Sequence, residues 1–273
     1  MIDWLSLFQE ASERIRQEVK PIFGSEKARE SAGRGAGGDI SKYIDLLAEE
    51  IVVKILEAED ISCVLISEEC GMRKIGKGSG GYVVLDSIDG TTNATRSIPF
   101  VSTSIAHAEH EYLNSVDVAL VRDLYRGIAF TAIKGKGAFG NGKPLSPSSI
   151  DSLGKAIMAI DLGPKEKLSG LVDRVLPILS MVLKIRHLGS TALELCYVAS
   201  GALDVFMDLR GLTRATDLAA AFLVLKESGG STVTPLGEEL NMSLKADAHA
   251  SFISTANKAL CTEILNCLKP GKG

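Results

Sequence analysis

Residues 86–93, with the sequence Asp-Ser-Ile-Asp-Gly-Thr-Thr-Asn, constrain this chain more than any other segment. They follow the apolar run Tyr-Val-Val-Leu at 82–85, which predicts a buried strand that ends at Asp86. Asp86 and Asp89 are thus close together at a strand end, and carboxylates bind hard cations such as Mg²⁺. The Gly-Thr-Thr turn that follows can offer N–H and hydroxyl groups to a phosphate. The segment favours metal-assisted phosphate chemistry, although the same residue types also form ordinary turns.

Two more acidic segments of the sequence are candidates for the same metal and phosphate chemistry. Glu68 and Glu69 come directly after the apolar run at 61–67, so a second strand is predicted to end in carboxylates, where α/β proteins tend to bind ligands. Asp217 stands at the start of an alanine-rich apolar helix. Each position also has a simpler interpretation, because strand ends are often solvated and an acidic residue complements the dipole of a helix N-terminus.

Taken together, these segments resemble the inositol monophosphatase family. The family's motifs occur in order as Ser-Glu-Glu at 67–69, the segment at 86–93, and Ala-Thr-Asp-Leu-Ala-Ala at 215–220. A basic glycine turn at 134–142 and the segment at 185–190 extend the resemblance over nearly the whole chain. The details are most similar to the archaeal branch that acts on fructose 1,6-bisphosphate and inositol monophosphate.

Two positions depart from the family pattern. The chain has Ser87 where the family usually has Pro, and Thr216 where it usually has Trp. Neither position supplies a metal-binding side chain, but the loss of a large ring at 216 removes packing beside Asp217.

The resemblance implies a layered αβαβα sandwich of the inositol monophosphatase/fructose-1,6-bisphosphatase type. The order of periodic segments suits it, with an α+β lobe at 1–149 and an α/β lobe at 150–273. Strands are predicted at 61–67, 82–86, 101–108, 115–121, 127–133, 156–161, 203–207 and 251–255. Helices are predicted from Trp4 to Val19, around Leu47 to Ile55, and at 168–183, 191–200, 215–228 and 258–268, with Ser190 as an N-cap.

The resemblance also implies a Mg²⁺ site that holds two or three ions, with Mn²⁺ as a substitute. Its side-chain ligands are expected to be Glu68, Asp86, Asp89 and Asp217, with the carbonyl of Ile88 as a backbone ligand. So many carboxylates repel one another without cations, and activity is therefore expected to depend on metal.

Catalytic roles are implied for three residues. Thr91 resembles the threonine that orients the attacking water, Asp45 the acid that partners it, and Glu68 assists as a ligand. Attack is expected in line, without a phosphoenzyme. From the pattern alone, an exposed helix charge is the less favoured alternative for Asp45. The glycine-rich loop at 33–38 could be a linker, although the matching family loop folds over the active site.

Substrate contacts are implied around the phosphate and around the sugar or polyol. Asp208 could accept hydrogen bonds from hydroxyls, and two arginines could pair with a second phosphate. Ordinary surface ion pairs are an equally good interpretation of each arginine. The implied residues are Asp89, Gly90, Thr91, Arg186, Thr191, Asp208 and Arg210.

Three functions stay open at this stage. The first is the Mg²⁺-dependent sugar and inositol phosphatase. The second is a phosphatase for 3′-phosphoadenosine 5′-phosphate, which needs an adenine pocket that a chain with 5% aromatic residues does not clearly offer. The third is a catalytically silent phospho-ligand binder, against which the retained acidic positions and Thr91 argue.

The composition limits the class of protein, its compartment and its partners. With 273 residues, 45% of them hydrophobic, the chain can bury a large core. Its net charge of −4 excludes bulk attraction to nucleic acid, and its sequence predicts neither a signal peptide nor a membrane span. Five cysteines without CxxC spacing favour a reducing cytoplasm. The expected partners are a small phosphorylated sugar or polyol and a second copy in a homodimer, with no nucleic acid and no membrane.

Overall fold

A computed structural model describes residues 2–36, 40–163 and 165–269. Residues 37 and 38 of the glycine-rich loop lie outside this part of the chain. The helices are α1 (Trp4–Val19), α2 (Glu26–Arg29), α3 (Tyr43–Ala58), α4 (Thr91–Thr95), α5 (Lys165–Leu179), α6 (Thr191–Ala199), α7 (Ala215–Ser228) and α8 (Lys258–Leu268).

Most strands belong to one of two large sheets. The first sheet contains β3 (Cys63–Ser67), β4 (Gly71–Ile75), β5 (Tyr82–Asp89), β6 (Ser102–Ala108), β7 (Val116–Asp123), β8 (Ala129–Ile133), β9 (Ala138–Gly140) and β10 (Lys143–Pro144). The second contains β11 (Ile157–Ile160), β12 (Lys184–Arg186), β13 (Val205–Arg214), β14 (Ser231–Val233) and β15 (His249–Thr255). A separate hairpin pairs β1 (Ser31–Arg34) with β2 (Ile40–Lys42).

The order of the strands explains where their ends meet. The first sheet runs β10-β9-β8-β7-β6-β5-β3-β4, and the second runs β12-β11-β13-β15-β14. In the first sheet β3 and β5 are parallel, whereas β5 and β6 are antiparallel. The carboxyl ends of β3 and β5 therefore lie side by side, at the end of the sheet where both strands finish.

The layers form an αβαβα sandwich. Helices α1 and α3 cover one face of the first sheet, and α6 and α7 lie between the two sheets. Helices α5 and α8 cover the outer face of the second sheet. The predicted sandwich is thus confirmed. One hydrophobic core joins both sheets through α6 and α7. The division into lobes at 149/150 stays a prediction.

Helix α1 forms because its apolar residues recur at helical spacing. Trp4, Phe8, Ala11, Ile15 and Val19 are all buried on the face that meets the first sheet and α3. The carboxylate of the N-cap Asp3 accepts a hydrogen bond from the backbone N–H of Ser6, 3.2 Å away. The chain leaves the helix at a turn that contains Pro21.

Helix α7 is buried on nearly every side. Its run Ala219, Ala220 and Ala221 is almost fully excluded from solvent, as are the larger residues that follow it. A helix that is apolar all round is typical of a protein interior. Small side chains let α7 lie between two sheets, and its N-terminus then points to the edge where β3 and β5 end.

The predicted end of strand β5 is wrong by three residues. The strand continues through Asp86 to Asp89, and its pairing with β6 shifts register between these two residues. Asp86 lies opposite Ser104 and Asp89 lies opposite Ser102. An irregular register redirects the chain at a strand end, so both carboxylates belong to the strand rather than to a loop after it.

The elements predicted from hydrophobic periodicity are confirmed, with ends that differ by a few residues. Seven strands were not predicted, because most of them are short and all lie in the small hairpin or at or near a sheet edge: β1, β2, β4, β9, β10, β12 and β14. The middle of β4, for example, is exposed and carries charged residues, so it lacks an apolar pattern. None of the helices in the described residues has the length and apolarity that crossing a membrane requires.

The turn between β5 and α4 depends on Gly90. Its φ is +95°, a conformation that strains residues with a side chain. A Cβ there would lie 3.0 Å from the carbonyl oxygen of Gly189 and 3.1 Å from that of Phe100. Gly135 has a similar φ of +74°, but a Cβ there would meet nothing within 4 Å.

We therefore expect Gly90→Ala to lower the free energy of unfolding by about 3 kcal/mol, since a left-handed non-glycine residue costs about 1–3 kcal/mol and overpacking adds to that. Gly135→Ala serves as the matched control and should cost about 1 kcal/mol. Urea denaturation of both variants measures the difference. Equal losses in the two variants would show that the close contacts at Gly90 do not matter.

Candidate metal centre

Three carboxylates meet where β3, β5 and α7 come together. One oxygen from each of Glu68, Asp86 and Asp217 lies within 4.8 Å of the other two. Glu68 follows β3, Asp86 lies in β5 on the face that carries α7, and Asp217 lies in the first turn of α7. Three separate chain segments thus converge on one point.

This donor set fits a hard divalent cation. All three ligands are carboxylate oxygens, which Mg²⁺ prefers and binds at about 2.0–2.1 Å. These oxygens lie within 4.8 Å of one another, which is close enough for side-chain rotation to bring them to one ion. Asp86 is 5% exposed, and a buried carboxylate among other carboxylates gains most from a cation.

Asp89 lies outside this group and faces helix α6. Its Oδ1 accepts a hydrogen bond from the backbone N–H of Thr191 at 3.1 Å, and its Oδ2 accepts one from that of Ala192 at 2.8 Å. The hydroxyls of Ser102 and Ser190 also donate to Oδ2. Asp89 therefore caps α6 from another part of the chain.

Ser190 has a different role from the predicted one. It occupies the N-cap position of α6, but its side chain makes no capping bond there. It donates to Asp89 instead, because the carboxylate already accepts the N–H groups of the first turn. The sequence predicted the correct position and the wrong hydrogen bond.

Asp45 and Thr91 form a second pair beside the carboxylates. The Thr91 hydroxyl lies 3.0 Å from Asp45 Oδ1 and 3.0 Å from the carbonyl oxygen of Ile88. The backbone N–H of Lys42 donates to Asp45 Oδ2 at 2.9 Å. Asp45 is 6% exposed, so the alternative of an exposed helix charge is wrong.

Helix α4 is held in place by Asn93. Its amide nitrogen donates to the carbonyl oxygens of Phe100 at 2.9 Å and Leu188 at 2.7 Å. These bonds join the turn after β5 to the loop before α6. The side chain thereby links the helix that begins at Thr91 to the loop that leads into α6.

The region expected to contact the rest of the substrate is rich in ion pairs. Arg210 forms a bidentate pair with Asp208, at 2.9 and 2.6 Å, and pairs with Asp161 at 2.8 Å. It also donates to the carbonyl oxygen of Gly163. Asp208 is fully buried and accepts from Thr213 as well. These contacts make Arg210 and Asp208 a supporting network rather than open ligands.

The other two predicted substrate residues differ in exposure. Arg186 lies on the exposed edge strand β12, and its guanidinium donates to the carbonyl oxygen of Ile185. Thr191 is 9% exposed at the start of α6. Arg186 thus offers an accessible cation, whereas Thr191 offers little more than its hydroxyl.

Burial raises the pKa of several carboxyls in this region, among them Asp45, Asp86, Asp89 and Asp217. It is the main cause for Asp86, whose pKa lies well above the usual range, with added repulsion from Asp89, Asp217 and Glu68. Burial also raises the pKa of Asp89 and of Asp217 to about 6, and that of Asp45 to about 7. Hydrogen bonds to Asp89 and Asp45 offset only part of this penalty.

Two residues near the site were missed in the sequence. Glu194 lies on α6, is 2% exposed, and accepts the backbone N–H of Leu188; burial raises its pKa to about 8. A single acidic residue within the apolar run Thr191–Ala199 was the available signal. Arg214 contacts Glu68 through a guanidinium nitrogen 2.7 Å from Oε1, and nothing in the local sequence predicts that contact.

Comparison with known sequences identifies extensive similarity. The sequence profile of the inositol monophosphatase family matches residues 4–268. A relative from Methanothermobacter thermautotrophicus, named fructose-1,6-bisphosphatase/inositol-1-monophosphatase, is 37% identical over 276 residues, which cover 97% of this chain and 96% of the relative. A relative from Methanococcus maripaludis, named bifunctional NADP phosphatase/NAD kinase, is 36% identical over 92% of this chain but only 47% of its own length.

Comparison of structures agrees with the sequences. A crystal structure of a gene product described as an inositol monophosphatase-fructose 1,6-bisphosphatase superimposes with a TM-score of 0.85 and 27% identity. The match covers 98% of this chain and all of the other.

The raised pKa values predict how stability depends on pH. In metal-free protein, the carboxyls of Asp45, Asp89 and Asp217 hold protons up to a pKa of about 6 or 7. In the unfolded chain they ionise near pH 4. Their contribution to stability is complete below about pH 4 and is lost as pH rises towards about 7. Above that pH the folded protein holds ionised, crowded carboxylates that a cation can relieve.

We therefore expect Mg²⁺ to raise the melting temperature more at pH 8 than at pH 5, by about 5 °C or more, which is a few kcal/mol for a chain of this size. Differential scanning calorimetry in chelator and in Mg²⁺ at both pH values measures this difference. Melting temperatures in chelator with NaCl, at the ionic strength of the Mg²⁺ solution, control for charge screening. An equal Mg²⁺ effect at both pH values would contradict the prediction.

Proposed function

The chain belongs to the inositol monophosphatase family, and from this premise we propose that it is a Mg²⁺-dependent phosphate monoester hydrolase of small phosphorylated sugars and polyols. The observation that carries the proposal is the group of Glu68, Asp86 and Asp217 beside the hydrogen-bonded pair of Thr91 and Asp45. One part can hold cations and the other can orient a water molecule.

Glu68, Asp86 and Asp217 would hold the metal, with the carbonyl of Ile88 as a further ligand. When bound, divalent ions neutralise phosphate charge, acidify a water and stabilise the leaving alkoxide. Asp89 is proposed as a ligand too, through Oδ1, which accepts one hydrogen bond whereas Oδ2 accepts three. Gly90 and Thr91 would receive the phosphate at the turn before α4.

Thr91 and Asp45 would orient the attacking water. The Thr91 hydroxyl has a single proton and two acceptors at equal distance, Asp45 Oδ1 and the Ile88 carbonyl. When it donates to ionised Asp45, its oxygen lone pairs are free to accept a hydrogen bond from water. Since the pKa of Asp45 is raised to about 7, Asp45 is suited to take up a proton near neutral pH.

We propose fructose 1,6-bisphosphate and inositol 1-phosphate as substrates, on the names of relatives such as that of M. thermautotrophicus. Arg186 is exposed and would pair with a second phosphate. Arg210, Asp208 and Thr191 would support the same region. A homodimer is proposed on the family resemblance alone.

A second substrate class has specific support. The M. maripaludis relative, whose name includes NADP phosphatase, is 36% identical over nearly this whole chain. NADP⁺ and 3′-phosphoadenosine 5′-phosphate both carry a monoester on an adenosine ribose, so the alternative of an adenosine-linked substrate deserves the same assay. A catalytically silent binder would release phosphate from none of these compounds.

For the metal requirement, we expect chelator to abolish phosphate release and Mg²⁺ to restore it. Asp217→Asn should lower kcat by about 10³-fold or more, since it removes a carboxylate from the metal. The exposed Asp151→Asn is the matched control and should leave kcat unchanged. Colorimetric phosphate release measures the effect of chelator and Mg²⁺ and the kcat of both variants. Full turnover in chelator would reject the mechanism.

For substrate selection, we expect Thr91→Ala to slow all substrates by a similar factor of about 10²–10⁴ in kcat, as loss of proton positioning does. Arg186→Ala should raise KM mainly for fructose 1,6-bisphosphate, by about tenfold or more, since a charge-assisted contact is worth about 1.5–3 kcal/mol. Arg210 is less suitable, because its removal would leave Asp208 buried without its cation.

Steady-state kinetics on fructose 1,6-bisphosphate, inositol 1-phosphate, NADP⁺ and 3′-phosphoadenosine 5′-phosphate decide between the substrate classes. If Arg186→Ala raised KM equally for the mono- and bisphosphate, Arg186 would not contact a second phosphate.

A further inference from the structure

Arg214 contacts two members of the acidic group, which consists of Glu68, Asp86 and Asp217. It is the last residue of β13 and the N-cap of α7, and its backbone N–H donates to Asp217 Oδ2 at 3.1 Å. Its side chain, 16% exposed, places a guanidinium nitrogen 2.7 Å from Glu68 Oε1. One residue thus contacts two of the three carboxylates in this group, Asp217 through the backbone and Glu68 through its charge.

We infer that Arg214 is an internal counter-cation of the metal site, which pairs with Glu68 while the site is free of metal and thereby lowers its affinity for divalent cations. The inference rests on the proposed metal binding by Glu68, Asp86 and Asp217. It assigns to Arg214 a positioning role rather than contact with the reacting atoms.

Two physical effects act in the same direction. A fixed positive charge beside Glu68 repels an incoming divalent cation. A cation that takes Glu68 as a ligand also weakens a short, charge-assisted hydrogen bond that is largely shielded from water. Both effects disappear when the guanidinium is removed, so metal should bind more tightly without it.

The same contact stabilises the metal-free protein. Carboxylates within 4.8 Å of one another repel each other, and the Arg214 charge offsets part of that repulsion. When metal is bound, the ion itself supplies this compensation. Arg214 should therefore matter more to the stability of the metal-free protein than to that of the metal-bound protein.

A purely structural clamp predicts the opposite pattern. If Arg214 only held Glu68 in the geometry of a ligand, its removal would weaken metal binding. By linkage, it would also lower the stability of the metal-bound protein more than that of the metal-free protein. The sign of the change in metal affinity therefore separates the two roles.

The test is calorimetric titration of the full chain with Mg²⁺ alone, without substrate. Arg214→Gln is expected to bind Mg²⁺ about tenfold more tightly than the unaltered protein. Arg73→Gln is the matched control, because Arg73 forms an exposed pair with Glu57 at 3.0 Å, outside the acidic group; its Mg²⁺ affinity should not change. Equal or weaker Mg²⁺ binding by Arg214→Gln would overturn the inference.

Melting temperatures provide a second measurement. Arg214→Gln should lose several degrees in chelator and less in saturating Mg²⁺, whereas equal losses would overturn the inference. If Arg214→Gln did not fold, the arginine side-chain NMR signals of ¹⁵N-labelled unaltered protein replace it, with Arg214→Lys for assignment. The Arg214 signal should shift when Mg²⁺ is added, and an unchanged signal would overturn the inference.

These measurements do not require turnover. Unaltered protein that binds Mg²⁺ but releases no phosphate would reject the proposed function and leave the inference intact. Protein that hydrolyses substrates while Arg214→Gln binds Mg²⁺ no more tightly would do the reverse.

Discussion

The repulsion among Glu68, Asp86 and Asp217 is the constraint on which the rest of this structure depends. Burial and neighbouring charge raise the pKa of Asp86 well above its usual range, so the fold must hold this group against an electrostatic penalty. It does so with rigid elements: a central strand, its parallel neighbour and a helix enclosed by two sheets. Only a well-packed core can keep such groups together, because a looser one would let them separate or hydrate.

The carboxylates also serve the fold. Asp217 accepts the backbone N–H of Arg214 at the start of α7, and Asp89 accepts those of Thr191 and Ala192 at the start of α6. Negative charge is favourable at both positions, since helix N-termini carry partial positive charge and unpaired N–H groups. The two helices between the sheets therefore begin at the candidate site, and this arrangement explains how buried acids are tolerated without metal. It also means that a substitution at Asp89 or Asp217 changes helix capping as well as chemistry.

Much of this arrangement could be predicted from local sequence. The period of the apolar residues predicted α1 and α7, and the apolar run at 82–85 predicted the central strand. Asp86 and Asp217 were correctly placed at a strand and at a helix start, because those positions follow from neighbouring residues. The end of β5 was wrong, since a register shift against β6 depends on a partner strand. Ser190 was assigned the wrong bond for the same reason, as its acceptor lies 101 residues away.

The sequence by itself determined which residue types could form a phosphate and metal site, and on which elements they would lie. Only the tertiary structure decided how they are used. It buried Asp45, turned Asp89 towards α6, engaged Arg210 with Asp208 and Asp161, and placed Arg214 against Glu68. Secondary structure follows from residues within one or two turns, whereas burial, ion pairing and the resulting pKa depend on segments that meet only when both sheets and the helices between them are packed.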